Sequence, residues 1–301
     1  MKLFKLFAVS LTLLMSLVAA AEEAAPAVDP PQEDPERVKL REIISKMRES
    51  AKNLKSYSVT IHERELFGKE LSVLDVVKIK WQAPQRVYIN YVKGPFAGRE
   101  VIYYQGWNNN EVRAHEGGFL GAINVNLDPY GNMAMKGNHH PAAEVSLVRF
   151  VRVLAHNIEK ADERGEGTVK ITENVKLWGW DTTKIECTAP KGGRFYTMKD
   201  DETLFDVAKK YNTSMYLILH HNPKHDWDEA DDADEGDKVF VPRYYAGKMV
   251  LWIDTEVWMP IKAEIYDHFG RLYEDYEHRD LKVNVPLSRR VFDPDNKEYN
   301  F

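Results

Sequence analysis

An α+β fold follows from three features of the sequence: runs of two-residue alternation on both sides of residues 194–243, two stretches of helical apolar spacing, and a change of pattern between Arg194 and Gly247. Alternation of period two marks half-buried strands, and successive strands with short polar connections form antiparallel meanders. The expected architecture is one large antiparallel sheet with two helices, discontinuous over 36–193 and 244–301, with a β-α-α-β module inserted at 194–243.

The chain opens with a basic segment ending at Lys5, an apolar run over 6–18 and the small residues Ala19 and Ala21. This is the pattern of a secretory signal peptide, here 1–21 with cleavage near Ala21. The apolar run falls short of the roughly 20 residues a spanning helix needs, and no cysteine stands at the cleavage point for lipid attachment. An exported, periplasmic protein without a membrane anchor is expected, with a flexible leader over 22–35 rich in alanine, proline and acid. A formal net charge of −6, from 41 Lys and Arg against 47 Asp and Glu, argues against nucleic acid or anionic lipid surfaces as partners. Cys187 is the only cysteine, so no intramolecular disulfide is possible and a core must hold the fold. Within a strand-like run it reads as a small buried apolar side chain.

Over 36–54, Leu40, Ile43, Ile44, Met47, Ala51 and Leu54 recur at helical spacing and predict an amphipathic helix. Strands are expected at 57–63, 73–81, 86–91 and 100–105, then a glycine-rich loop over 117–137. A second helix over 142–158 sets Leu147, Phe150, Val151, Leu154 and Ile158 on one face. Strands resume at 168–174, 175–180 and 182–187 and, past the break, at 249–253, 261–266, 271–276 and 281–283. The module thus replaces a hairpin loop between Cys187 and Met249, a kind of site that tolerates insertion. Aromatic residues in or beside strands, Trp81, Tyr88, Tyr91, Tyr103, Tyr104, Trp178, Trp180, Trp252 and Trp258, suit a thick core by default and a lipophilic cavity as the other reading.

Inside the module, 195–199 reads as a strand, and the acidic turn 200–203 caps a helix whose apolar face is Leu204, Val207, Ala208 and Tyr211. Ser214 caps a second helix that Asn222-Pro223 stops, and 236–242 closes the unit as a strand. The order Tyr196-Thr197-Met198-Lys199, Glu202-Thr203-Leu204, Ala208-Lys209-Lys210-Tyr211, Thr213-Ser214, Asn222-Pro223 and the closing strand resembles the lysin motif (LysM). The resemblance implies recognition of N-acetylglucosamine polymers, in bacteria chiefly peptidoglycan, in a shallow groove lined by Asp201, Glu202, Thr203, Leu204, Asn222 and Pro223. Asp201 stands where the motif usually carries glycine, and Glu202 where it carries aspartate. In the acidic run 226–237, Asp226, Asp228, Asp232 and Asp234 alternate, but the glycine and final glutamate of a calcium-binding EF-hand are misplaced. A solvated, flexible loop is expected there.

Outside the module, Gly98-Arg99-Glu100-Val101-Ile102-Tyr103, Leu127-Asp128-Pro129-Tyr130-Gly131-Asn132, Gly137-Asn138-His139-His140-Pro141, Gly270-Arg271-Leu272-Tyr273-Glu274-Asp275-Tyr276 and Phe292-Asp293-Pro294 resemble the envelope family known as domain of unknown function 1571. That family has no assigned activity. Its layout is similar to the half-barrel of periplasmic lipoprotein carriers, which implies a curved, half-barrel-like sheet wrapping helices around an apolar cavity, and function does not follow from fold.

His139, His140 and Glu144 are the best metal or catalytic candidates, because a helix would set Glu144 on one face with His140 four residues earlier. No third ligand can be named, and positioning of the helix start is the plainer account. His220, His221 and His225 form a second cluster, expected at the surface. No G-x-S-x-G, H-E-x-x-H or phosphate-cradling glycine loop occurs, so no catalytic residue, metal or cofactor is assigned. The leading expectation is a non-catalytic periplasmic binding protein that the module tethers to peptidoglycan while the host holds a hydrophobic ligand or a partner protein. A carrier of lipid or lipoprotein is the alternative, and a metal-dependent hydrolase the third reading.

Overall fold

The computed structural model describes residues 33–118 and 123–301. The expected signal peptide and nearly all of the expected leader lie outside the described residues. Asp34–Phe301 form one compact unit.

Helix α1 (Pro35–Asn53) begins where the Asp34 carboxylate accepts from the Glu36 amide at 2.9 Å, with proline at the first helical position. Then come β1 (Ser56–Phe67), β2 (Glu70–Leu71), β3 (Asp75–Gln82), β4 (Arg86–Lys93), β5 (Glu100–Tyr104), β6 (Val112–His115) and β7 (Asn124–Leu127). A short α2 (Asn132–Met135) leads to α3 (Leu147–Glu163), followed by β8 (Val169–Leu177) and β9 (Trp180–Thr188). The module comprises β10 (Gly193–Thr197), α4 (Leu204–Tyr211), α5 (Met215–His221) and β11 (Lys238–Pro242). Strands β12 (Lys248–Asp254), β13 (Pro260–Tyr266) and β14 (Leu272–Val283) complete the fold.

The large sheet is antiparallel and curved, in the order β7-β6-β5-β4-β3-β1-β14-β13-β12-β9-β8 among the described strands, with β2 pairing β1. The first and last segments of the host therefore meet at its centre, where β1 lies between β3 and β14. One face carries α1 and α3. Leu40, Ile44 and Met47 from α1 and Val151, Leu154 and Ala155 from α3 join Val59, Val77, Ile79, Leu251 and Ala263 from the sheet in a single buried cluster.

Helix α3 starts later than its apolar spacing suggests. Pro141 is followed by a 3-10 turn, Ala142–Glu144, and the helix opens only when Ser146 accepts from the Arg149 amide at 3.1 Å. Strands β8 and β14 each join two segments that read as separate in the sequence. Asn174 (φ 56°) and Asp280 (φ 52°) take left-handed conformations beside shifts of register, so the strands pass through bulges where polar residues break the alternation. Strand β7 occupies part of the stretch expected as loop, and at one edge of the sheet it pairs with β6, for which no strand was expected.

Strands β10 and β11 pair with each other and not with the large sheet. Meanwhile β9 pairs directly with β12, Thr188 opposite Lys248, so the module grows from the tip of a hairpin. It has its own buried cluster of Met198, Leu204, Val207, Ala208, Met215, Ile218, Val239 and Val241. Ala230 and Ala233 from the acidic run join that cluster, and Asp232 accepts from the amides of Asp228 and Glu229 at 2.7 and 2.8 Å. The run is thus solvated along its carboxylates but pinned by its alanines. Contact with the host comes through α5, where the Tyr216 ring packs on Phe67 and His139 and the Ser214 and Tyr273 hydroxyls are 2.6 Å apart. It also comes through Phe205 of α4, which packs against Tyr130, and through the acidic run, whose Glu229 and Asp231 accept from the Asn132 side chain.

Candidate functional site

Along β1 the inward positions run Tyr57, Val59, Ile61, Glu63 and Glu65, so the same face that is apolar for three residues becomes acidic for two. All five line a cavity of about 550 Å³ between the sheet, α3 and the module. Val77 and Ile79 of β3, Ile89 of β4, and Phe150 and Val153 of α3 extend its apolar wall. Thr203, Phe205, Ala208, Thr213 and Met215 of the module line it as well.

Strand register makes the acidic end dense. Glu65 lies opposite Glu274 across the β1–β14 ladder, and Glu63 lies between Asp75 on β3 and Tyr276 on β14. Like charges directly opposite one another are normally destabilising, and residues that break such a rule cluster at functional sites. Above them sits the loop that carries His139 and His140. Gly137 (φ 78°) shapes it, because a Cβ there would lie 2.4 Å from the Phe96 ring.

The two histidines converge on Glu274, which is fully buried. Its carboxylate accepts from His139 Nδ1 at 3.0 Å and from the Tyr245 hydroxyl at 2.7 Å, and His140 Nε2 lies 3.3 Å away. His139 Nε2 faces the Leu66 carbonyl oxygen at 3.0 Å, so both of its ring nitrogens meet oxygens that only accept. Its ring is stacked between Tyr216 and Tyr273. Glu65 accepts from the His139 amide at 2.7 Å and from the Tyr276 hydroxyl.

Charge follows this geometry. Burial alone would raise Glu274, but the hydrogen bonds and charge of His139 and His140 outweigh it and hold the carboxyl down to about 2. Burial opposes the charged form of His140 too, and the bond to Glu274 wins and raises it. Glu63 is pushed well above the usual carboxylate range, first by burial and then by Glu65 and Asp75. Burial likewise lifts Asp75 to about 6 and lowers His278 to about 4. Carboxyls on neighbouring rungs are thus driven in opposite directions, a pattern typical of functional sites.

Of the sequence candidates, His139 and His140 belong to this end of the cavity. Glu144 does not join them: it pairs with Arg149 and accepts from the Tyr130 hydroxyl at 3.1 Å, because the 3-10 turn replaces the helix that would have aligned it with His140. Glu63, Glu65, Glu274, Tyr245 and Tyr276 were not legible as a site. The available signal was the continuation of β1's alternation into Glu63 and Glu65. Of the aromatic residues named from the sequence, Tyr91 lines the cavity, while Trp81 stacks on Tyr57 and Trp252 lies under Lys184 and Lys262. His220, expected at the surface, is buried against Tyr273, and burial lowers it to about 4. Cys187 is buried and its thiol pushed up to about 12.

The six residues of the expected glycan groove are placed as follows. Asp201 is exposed with φ 55°, Pro223 is exposed, and Glu202 accepts from the Tyr196 hydroxyl at 2.7 Å. Thr203 caps α4 in a reciprocal box with Asp206 and also borders the cavity. Leu204 is fully buried in the module core. The Asn222 side chain is spent on the module itself, donating to the Ile218 and Phe240 carbonyls at 2.7 and 2.9 Å and accepting from the Phe240 amide at 2.9 Å.

Fold and site together define an α+β protein whose curved antiparallel sheet and covering helix enclose an apolar cavity closed at one end by carboxylates and histidines. The chain belongs to the family described as "Protein of unknown function (DUF1571)", which matches residues 54–236 and 240–301 and so runs through most of the module. No curated protein matches the chain. Among solved structures, it is similar to the lipoprotein LppX of Mycobacterium tuberculosis, with 12% identity, 82% of this chain and 98% of that chain covered, and a TM-score of 0.39. It is also similar to a LolA superfamily protein from Nitrosomonas europaea, with 11% identity, coverage of 84% and 96%, and a TM-score of 0.32. A third is the MucA/MucB complex of Pseudomonas aeruginosa, with 8% identity, 85% of this chain and 60% of that chain covered, and a TM-score of 0.36. At such scores nothing about ligand or partner follows. The comparisons bring no support to the lysin-motif resemblance. No described helix is long and apolar enough to cross a membrane.

Proposed function

We propose that the protein binds an amphipathic, lipid-class molecule in its cavity and acts in the periplasm as a carrier or sensor of that molecule, the compartment following from the leader pattern in the sequence. One observation carries this reading: the cavity of about 550 Å³ is walled by Val59, Ile61, Val77, Ile79 and Phe150 and closed by Glu63, Glu65 and His140. That size falls within the range of about 300–1,000 Å³ in which small-molecule sites occur, and such sites pair apolar walls with a few convergent polar groups. An apolar tail fits the walls, and a headgroup bearing hydrogen-bond donors fits the acidic end. Mass spectrometry of organic extracts from natively purified protein is expected to find a stoichiometric amphiphile. Extracts without one, together with no uptake of a fluorescent fatty-acid probe, would sink the reading.

A second reading, in which the module also recognises peptidoglycan, is favoured by its β-α-α-β order and by the exposure of Asp201 and Pro223. Asn222→Ala is a poor probe of it, since that amide holds α5 to β11. Co-sedimentation with purified peptidoglycan is the better measurement, with retention expected for the wild type and lost in Pro223→Arg. Wild-type protein left in the supernatant removes this reading.

A further inference from the structure

We propose that Glu65, His140 and Glu274 hold a divalent transition-metal ion at the polar end of the cavity. One carboxylate oxygen from each glutamate and one imidazole nitrogen lie within 4.8 Å of one another. From that spacing, shifts of less than about 1 Å reach the bond lengths of about 2.0–2.2 Å that zinc makes to such ligands. The donor set, one nitrogen and two carboxylates, suits zinc, manganese or ferrous iron and does not suit the all-oxygen preference of calcium.

Two further observations support an ion here. The carboxylates are held by groups that are not themselves ligands: the Tyr276 hydroxyl and His139 amide on Glu65, and the His139 ring and Tyr245 hydroxyl on Glu274. Metal-binding side chains are characteristically oriented in this way. Glu65 and Glu274 face each other across the ladder with no Lys or Arg ion pair to either among the described residues, and a dication turns that repulsion into attraction.

Three protein ligands leave coordination positions open, and His140, partly exposed among the cavity-lining residues, directs them into the cavity. There the ion can receive water or the polar end of a bound molecule. It needs no amphiphile, so the site stands or falls separately from the reading above.

The test uses the full mature chain, stripped with a chelator and titrated with Zn²⁺, Mn²⁺ and Co²⁺ by calorimetry, with the cobalt absorption bands as a second readout. One ion per chain is expected, and Glu65→Gln and His140→Ala, which remove direct ligands, should each weaken binding by at least the roughly 10–100-fold that loss of an outer-shell partner costs. Metal-free His140→Ala should still unfold in one cooperative transition, because His140 is partly exposed and the His139 ring and Tyr245 hydroxyl remain on Glu274. Wild-type protein that takes up none of the three ions overturns the proposal. So does binding that survives both substitutions and disappears in Asp231→Asn with Asp232→Asn, which would place the ion on the exposed acidic loop.

Discussion

Glu274→Leu is expected to lower the free energy of unfolding by about 3–5 kcal/mol, the loss typical when one partner of a buried charge pair is removed. The substitution strands the His139 ring, enclosed by Tyr216 and Tyr273, and removes the acceptor of the Tyr245 hydroxyl. Adding His139→Leu should recover part of that loss, because both polar partners are then gone together. Urea denaturation in metal-free buffer measures both, and a single variant within about 1 kcal/mol of the wild type would contradict the geometry.

The pH dependence has a defined sign. Glu274 is held at about 2 in the folded protein against an ordinary 4.5, so its stabilising contribution is fully present above 4.5 and is lost as pH falls through about 2. The gap between wild type and Glu274→Leu should therefore narrow across that window. His140 is raised above its ordinary 6.5, so its contribution is present below 6.5 and declines as pH rises through the folded value. Glu274→Leu weakens that alkaline decline as well, since Glu274 is the main group that raises His140, with Glu65 a lesser one.

Val153→Trp is expected to abolish occupation of the cavity while leaving the fold intact. Val153 lies on α3, is partly exposed, and lines the apolar wall, so an indole there projects into free volume in place of packed core. Its cost should fall at or below the about 1–3 kcal/mol usual for adding bulk to a filled core. Extracts of the variant should lack the amphiphile, and probe affinity should drop about tenfold or more, the equivalent of losing roughly 1.4 kcal/mol of binding. Unchanged probe binding would show that the ligand lies elsewhere.

Much of the scaffold was legible because it depends on local pattern. The spacing of Leu40, Ile43, Ile44 and Met47 marks α1, and each of those residues is buried. The alternation breaks at Arg194 and returns at Gly247, and between them β10 and β11 pair with each other and not with the large sheet. Boundaries blurred where local and tertiary demands diverge. One expected strand ends at Asn174, and Asp280 falls in the gap between two others, because polar left-handed residues interrupt alternation, yet pairing carries β8 and β14 through them.

The acidic site is a different case. His139 and His140 could be noticed as neighbours in sequence, but nothing local links them to Glu65 and Glu274, which stand opposite each other only because β1 and β14 pair at the centre of the sheet. By itself the sequence determined where apolar faces recur, where the pattern changes hand from host to module, and that a core without disulfides holds the fold. Tertiary structure alone decided which carboxylates meet and which face of α3 is left over a void. The reason is physical: side-chain periodicity is written residue by residue along the chain, whereas cross-strand register and cavity shape come from packing between segments two hundred residues apart.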